Sequence, residues 1–235
     1  AVSGQLELAR DAIARADPII RAGAPWALGD AYRLMGDVHL ARGEDDEAER
    51  SYVHAYRHGW DPYPGYATLL HQRGRSDEAV RGLKRAASLT NWMAGERKGR
   101  YLAHAAQIAG LAGQVDEART LLDALDRAPG LWQAGAVAGQ VARARAELLW
   151  ATGQQDDALR LFARAMDILR HKRAVLDAAL LNMRLAQTLA LRGEHASAAL
   201  ELAAAEAVFE AAGASGYLAQ CRAMRSAADW CRNGR

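Results

Sequence analysis

Two histidines, His54 and His58, have the type and spacing of zinc ligands, because residues four apart share one face of a helix. A catalytic zinc ion normally needs three protein ligands. No third ligand stands at a suitable spacing in the sequence. We therefore interpret the pair as surface histidines of a helix, and we predict neither a metal site nor a cofactor.

Sequence motifs for other chemistry are also missing. The chain has no G-x4-G-K-[ST] phosphate loop and no G-x-S-x-G nucleophile elbow. Its His, Asp and Glu residues are scattered over segments that read as solvated helix faces. We expect a protein that is not an enzyme.

One basic run, "LRHKRAV", contains Arg170, His171, Lys172 and Arg173. Nucleic-acid affinity grows with the number of phosphate contacts, and this run is short. We interpret it as a set of cations at a helix C-terminus, where they complement the helix dipole. The net charge is only +2, so we expect no direct binding of nucleic acid or membrane by this chain.

The composition is that of a globular protein, with 235 residues, 51% of them hydrophobic and 25% charged. The N-terminal segment lacks the apolar core of a signal peptide. Cys221 and Cys231 would lie about 15 Å apart along one helix, beyond the reach of a disulfide. We expect reduced thiols and a cytoplasmic location.

A ten-residue pattern recurs along the chain and sets its architecture. Each copy has a glycine, then an alanine five positions later, then a larger apolar residue four positions after the alanine. These offsets place the alanine and the larger residue on one helix face. The copies begin at Gly4, Gly43, Gly74, Gly113, Gly153 and Gly193.

The physical meaning of the pattern is a bend between two helices. Glycine adopts the left-handed conformation that ends a helix. Acidic residues follow it, as in Asp45 and Asp46 or Asp116 and Glu117, where the N-terminal dipole of the next helix favours them. The sequence therefore predicts an all-α fold of antiparallel helical hairpins, with about twelve helices over residues 1–235 as a single domain.

The helix before Gly43 carries Tyr32, Met35, Gly36 and His39 at the spacing of the tetratricopeptide pattern W-x2-L-G-x2-Y. The chain thus resembles the tetratricopeptide-repeat family, which implies a right-handed superhelix, an α-solenoid. Most of its repeats are longer than the standard period of about 34 residues, and we expect the extra turns in the first helix. The repeat ending at Gly74 is shorter, because Pro62 and Pro64 trim its helix start.

The ends of the pattern predict a fragment of a longer chain. Gly4 has no first helix before it, and the last helix, which ends at Gly234, has no partner after it. We expect a piece cut at two hairpin bends. The alternative is that both terminal helices are natural caps of the solenoid.

Three further segments carry a narrower resemblance. They are "RHGWDPYPGYATLLHQRGRSDEAV", the run of forty-residue repeats after it, and "AALELAAAEAVFEAAGA" with Phe209, Glu210, Gly213 and Ala214. Together they resemble the helical-repeat region of large bacterial LuxR-type transcriptional regulators. The resemblance implies a sensor or interaction module in transcription regulation.

In the tetratricopeptide family the first helix of each hairpin lines a concave groove. The matching positions in this chain are Arg33, Asp37, His71, Gln107, Arg143, Glu147, Trp150 and Gln187, with Met224 in the last helix. The resemblance implies a groove for a peptide or helical segment of a protein partner, including a segment of the same parent protein. The alternatives are a small-molecule effector site, a passive spacer or dimerisation unit, and residues that merely face water.

Three tryptophans precede first helices, namely Trp26, Trp92 and Trp132. We expect them to hold one repeat against the next by burying ring area. The alternative is an aromatic cage for a ligand.

Overall fold

The computed structural model describes residues 5–89, 95–127 and 135–233, with side chains for all of these except Trp26 and residues 228–233. These ranges contain helices, turns and loops, without a strand. The predicted all-α fold is confirmed. The helices are α1 (Leu6–Gly23), α2 (Leu28–Arg42), α3 (Asp45–Arg57), α4 (Gly65–Gln72), α5 (Ser76–Leu89), α6 (Gly95–Leu111), α7 (Val115–Arg127), α8 (Gly135–Ala151), α9 (Gln155–His171), α10 (Val175–Leu191), α11 (His195–Ala212) and α12 (Ser215–Asn233).

The predicted glycines stand at the bends of the hairpins. Each has a left-handed backbone with φ between 73° and 81°, which residues with a Cβ adopt only at a cost. They end α2, α4, α6, α8 and α10, so each joins an even-numbered helix to the odd-numbered helix that follows. The five are Gly43, Gly74, Gly113, Gly153 and Gly193, and Gly4 lies outside the described residues.

The other positions of the pattern form the seam of each hairpin. Acidic residues occupy the first turn of α3, α5, α7 and α9. The alanine after each described bend is buried, and so is the larger apolar residue after it, as at Tyr52 and Phe162. Gly36 of α2 supplies the facing surface, because a Cβ there would lie 2.5 Å from the Tyr52 ring. Small residues thus set the distance between paired helices.

The repeat lengths follow the predicted trend, with one correction. α4 has only 8 residues, whereas α6, α8 and α10 have 17 each. The extra turns are not confined to first helices, because α9 has 17 residues and α11 has 18. Both helices of a late hairpin lengthen together, which keeps their apolar faces matched along the pair.

The helices close into a ring, which the sequence pattern did not predict. α12 packs against α2 at Gly216 and Gly43, where a Cβ on Gly43 would lie 3.0 Å from Gly216 Cα. The Ser215 hydroxyl donates a hydrogen bond to the Arg42 carbonyl at 3.1 Å. One core cluster joins Leu6 and Val38 to buried residues of α10, α11 and α12. The solenoid therefore makes one turn, and its first and last repeats touch.

Several sequence expectations fall outside the described part of the chain. Trp92, Trp132 and Gly234 lie outside the described residues, as do the side chains of Trp26 and Cys231. A different tryptophan, Trp60, packs over Gly29 at the start of α2 and thereby joins α2 to the loop before α4. Within the described ranges, no helix combines the length and apolar character needed to cross a bilayer.

Candidate functional site: the central cavity

A cavity of about 410 Å³ occupies the centre of the ring. Its wall is built from all six even-numbered helices, the first helices of the hairpins, and from Leu6 of α1. The odd-numbered helices from α3 onward contribute no lining residue. Hairpins that turn the same way bring one face of each first helix to the same interior.

Five of the eight predicted groove residues line this cavity. They come from five different helices: Asp37 from α2, His71 from α4, Gln107 from α6, Arg143 from α8 and Gln187 from α10. Residues far apart in sequence therefore share one interior. Whether they contact a ligand stays a prediction.

The other three predicted residues stand behind the wall and hold side chains that form it. Arg33 donates to Asp37 at 3.1 Å. Glu147 accepts hydrogen bonds from Arg184, and Trp150 lies with its ring centroid 6.0 Å from the same guanidinium. Arg33, Glu147 and Trp150 would therefore affect a ligand in the cavity indirectly, by positioning Asp37 and Arg184.

Asp37 is fixed from two sides. Its carboxylate accepts a hydrogen bond from the Tyr52 hydroxyl at 2.9 Å and one from Arg33. Burial raises the pKa of Asp37, while the charges of Arg33 and Arg100 oppose that rise. Burial also raises the pKa of Tyr52, so its hydroxyl remains a proton donor to Asp37.

Arg184 and Glu147 form an ion pair between α10 and α8. The Arg184 Nη2 donates to Glu147 Oε2 at 2.8 Å, and Nε donates to both carboxylate oxygens at 3.0 and 3.1 Å. The Glu147 side chain is fully buried, whereas 14% of the Arg184 side chain is exposed. The pair fixes the orientation of Arg184 at the cavity wall. Gln187, one turn further on, donates to Met224 Sδ of α12 at 3.6 Å.

Arg143 has a different environment from Arg184. With the Gln107 amide oxygen turned towards it, Arg143 donates to that oxygen from Nε and Nη2, both at 3.2 Å. Burial lowers the pKa of Arg143, although the charges of Glu147 and Asp177 oppose that shift. Within the described ranges no carboxylate forms an ion pair with Arg143, and its one hydrogen-bond partner is neutral.

His104 lies beside Arg143 and Arg100 at the same part of the wall. Burial, together with the charges of Arg100 and Arg143, lowers the pKa of His104 to about 3. Its Nε2 atom is sealed from solvent and has no hydrogen-bond partner. The imidazole is therefore neutral at ordinary pH and has an unused polar atom.

Several wall residues were absent from the predicted groove. Arg100, His104 and Gln107 lie at helical spacing on one face of α6, so extending the face from Gln107 would have found the first two. Arg184 and Tyr217 lie three and seven residues before the predicted Gln187 and Met224, so the same extension would have found them. Ring closure brings Tyr217 of α12 to this interior.

The histidine pair and the basic run singled out in the sequence lie in the helices and turns of ordinary hairpins. His54 and His58 both stack on the Tyr32 ring, with centroids 5.1 and 5.4 Å away. Arg170 and His171 end α9, and Arg173 in the following turn has a left-handed φ of 55°. In the described part of the chain, no group of three or more His, Cys, Asp or Glu residues could hold a metal ion.

A second cavity, of about 610 Å³, lies outside the ring between α3, the loop before α4, and α5. Tyr56, Tyr63 and Tyr66 supply aromatic surface, and Arg81 and Arg85 supply positive charge. Tyr56 is 62% exposed. This outer cavity lies on the opposite side of the hairpins from the central one.

These features define the protein as a closed helical-repeat ring around a central cavity with a mixed apolar and polar lining. No family model matches the chain, and no curated protein matches it. Among solved structures it is similar to the crystal structure of BtubC (BKLC) from P. vanneervenii, with a TM-score of 0.52 and 17% sequence identity. The match covers 90% of this chain and 92% of that one. At this identity the similarity concerns the fold alone.

Proposed function

We propose that the protein is a non-enzymatic regulatory module that binds a small effector molecule in its central cavity. One observation carries the proposal: six helices converge on a single interior that is lined by apolar side chains together with several polar and charged ones. Its volume of about 410 Å³ lies in the range of ligand pockets. The contact between α2 and α12 closes the ring around this interior, which favours a small effector as its occupant.

The mechanism follows from the contact between the two ends of the solenoid. Each hairpin packs mainly against its neighbours, so a small change per repeat accumulates along the array. A ligand that bridges opposite walls stabilises the closed ring relative to an open form. It can shift the equilibrium only by its difference in affinity between the two forms. The position of α12 relative to α2 would then depend on whether the central cavity holds a ligand.

The finer family assignment is also a proposal. The glycine-alanine pattern and the residues around Gly36 support a tetratricopeptide-type repeat. The sequence resemblance described above supports a module of a bacterial LuxR-type transcriptional regulator. A regulator of that kind acts in the cytoplasm, which is the location that we propose.

A protein partner is the second candidate, and the outer cavity favours it. Its exposed tyrosine, aromatic surface and two arginines have the composition of protein interfaces. A peptide or helical segment of a partner, including one from the same parent protein, would bind there while the ring remains closed. The central cavity and the outer cavity therefore make separate predictions.

A thermal-shift screen tests the two candidates. A small-molecule library should contain at least one compound that raises the melting temperature in a concentration-dependent way, as expected for a ligand of the folded state. Leu180→Trp in the central wall and Tyr56→Ala in the outer cavity form a matched pair of variants. An effector in the central cavity should lose its effect in Leu180→Trp and keep it in Tyr56→Ala.

Each other outcome has a definite meaning. A peptide that loses affinity in Tyr56→Ala alone would establish the second candidate. A library without any compound whose effect is lost in Leu180→Trp would refute the first. A protein that responds to neither compounds nor peptides would be a passive spacer or a dimerisation unit, and sedimentation would distinguish these two.

A further inference from the structure

Arg143 is a positive charge inside the ring that forms no ion pair in the described part of the chain, although the charges of Glu147 and Asp177 act on it. Burial lowers its pKa. It nevertheless keeps part of its surface accessible, and that surface faces the cavity. Withdrawing a guanidinium from water is costly unless an anion compensates it. A site that retains such a charge is a candidate for binding.

Arg100 and His104 adjoin this charge. All three side chains line the cavity, and the charges of both arginines act on the His104 ring. Arg100 also has no ion pair within the described ranges. The Nε2 atom of His104 has no hydrogen-bond partner but is sealed from solvent, and a neutral imidazole can donate a hydrogen bond from that atom once the ring turns towards the cavity. Two guanidinium groups and the His104 ring therefore lie together at one part of the wall.

Two of the arginines that line the cavity have no carboxylate partner in the described part of the chain. Arg184 is paired with Glu147, whereas Asp37 shares Arg33 with Asp30. Arg100 and Arg143 remain, and Asp177 is the one lining carboxylate without an ion pair among the described residues. Among the charged side chains that line the cavity, two arginines and one carboxylate therefore lack an ion pair in the described part of the chain.

We propose that Arg100, His104 and Arg143 form a site for the carboxylate or phosphate group of a small effector. The site rests on the proposed effector function and deepens it by naming the chemical class. Guanidinium groups bind both kinds of oxyanion through paired N–H donors, and such charge-assisted bonds are the strong ones. The apolar side chains of Ile108 and Leu180, which also line the cavity, leave room for a small carbon skeleton.

Calorimetric titration tests the site with defined probes. Inorganic phosphate, succinate and citrate are titrated at constant ionic strength set by sodium chloride, and a panel of neutral sugars is titrated in parallel. We expect saturable binding of at least one anion, and phosphate against the two carboxylates distinguishes the kind of group. Arg143→Gln and Arg100→Gln should each raise the Kd of that anion by about tenfold or more.

Arg164→Gln is the matched control, since Arg164 lies exposed on α9 outside the cavity. It should leave the Kd unchanged. A circular-dichroism melt of each variant without ligand verifies that the fold persists. A variant that fails to melt cooperatively is replaced by Lys at the same position, which keeps the charge but loses the paired donors and should still weaken binding.

The outcomes separate this site from the proposed function. Anion binding that Arg143→Gln and Arg100→Gln leave unchanged overturns the site. Neutral compounds that bind and are lost in Leu180→Trp overturn the anion site and support the effector function. Absence of binding by all three anions at high millimolar concentration also overturns it.

Discussion

The Arg184 guanidinium spans the gap between α10 and α8 to donate three hydrogen bonds to the buried Glu147 carboxylate. The two residues lie in successive inner helices, so the pair connects two repeats at the cavity wall. Gly110 of α6 packs against the same glutamate, because a Cβ there would lie 3.0 Å from Glu147 Cβ. Glu147 is thus a point where three consecutive inner helices meet.

Breaking this pair should destabilise the protein strongly. Arg184→Met leaves the Glu147 carboxylate buried without its cation, and we expect a loss of about 3–5 kcal/mol in the free energy of unfolding. Urea denaturation at pH 7 measures it. The double variant Glu147→Met with Arg184→Met should recover most of the loss, because a buried ion pair can be replaced by apolar residues.

Arg192 provides the control for this prediction. It pairs with Asp156 at 2.5 Å, but the Asp156 side chain is 78% exposed. Arg192→Met should change the stability little, since exposed ion pairs contribute little. Equal losses of unfolding free energy in Arg184→Met and Arg192→Met would show that burial of Glu147 does not determine the contribution of its ion pair to stability.

Arg143 should behave in the opposite way to Arg184 when no ligand is present. Its guanidinium has no carboxylate partner in the described part of the chain, so Arg143→Met removes an uncompensated charge from the interior. We expect unchanged or higher stability in an anion-free buffer, as is common where a binding site sacrifices stability. A large loss of stability in Arg143→Met would make Arg143 a structural residue. The same urea titration measures both arginine variants.

The hairpins could be predicted from the sequence because their determinants are local. A left-handed glycine, the acidic turn after it and the buried alanine all lie within a few residues, as at Gly113, Asp116 and Ala118. Ring closure could not be predicted in this way. It depends on how small rotations add along the array until Gly216 meets Gly43.

The same distinction explains the site. The tetratricopeptide resemblance assigned Gln107 and Arg143 to the inner face, and both line the cavity, since a helix face is a local property. The role of Arg184 depends on Glu147, which lies in the preceding repeat, and no offset encodes that contact. The orphaned Nε2 of His104 results from burial, which only the assembled ring produces.

Acid should destabilise the protein partly through His104. Its folded pKa is about 3 against an ordinary value of 6.5, so below pH 6.5 the unfolded chain binds a proton that the folded protein does not. The free energy of unfolding should therefore fall as the pH drops from 6.5 towards 3, by at most about 1.4 kcal/mol per pH unit from this group. Above pH 6.5 this contribution is fully present and constant.

His104→Gln isolates that contribution, because the amide does not titrate. Urea titrations of both proteins from pH 4 to pH 7 should give a stability difference that changes with pH in the direction stated. The charges of Arg100 and Arg143, which act on the His104 imidazole, remain in both proteins. Parallel curves for the two proteins would mean that His104 has the same pKa in the folded and unfolded protein.

The bend glycines should be intolerant of a side chain for conformational reasons alone. Gly113 has φ of 73°, and a Cβ there would meet nothing within 4 Å. Gly113→Ala should therefore cost about 1–2 kcal/mol through the left-handed backbone and not through a clash. Gly23, near the end of α1, also has open space around it but lacks a left-handed φ. Gly23→Ala should be neutral or slightly stabilising by urea denaturation, and equal costs at both sites would contradict the assignment.

Closure of the ring can be tested at Gly216 with Cys221 as the reporter. A Cβ on Gly216 would overlap the backbone of Arg42 and Gly43, although alanine is otherwise the better helix residue. Gly216→Ala should separate α12 from α2 and expose the Cys221 thiol, which is fully buried and whose pKa burial raises to about 11.

In a Cys231→Ser background, maleimide labelling of Cys221 should become about tenfold faster or more. Each 1.4 kcal/mol of stability that the closed form loses raises the population of the open form tenfold. Ala219→Val, at an exposed position of the same helix, should label as slowly as the parent. If the two variants label at the same rate and small-angle scattering gives them the same radius of gyration, the contact between Gly43 and Gly216 does not hold the ring closed.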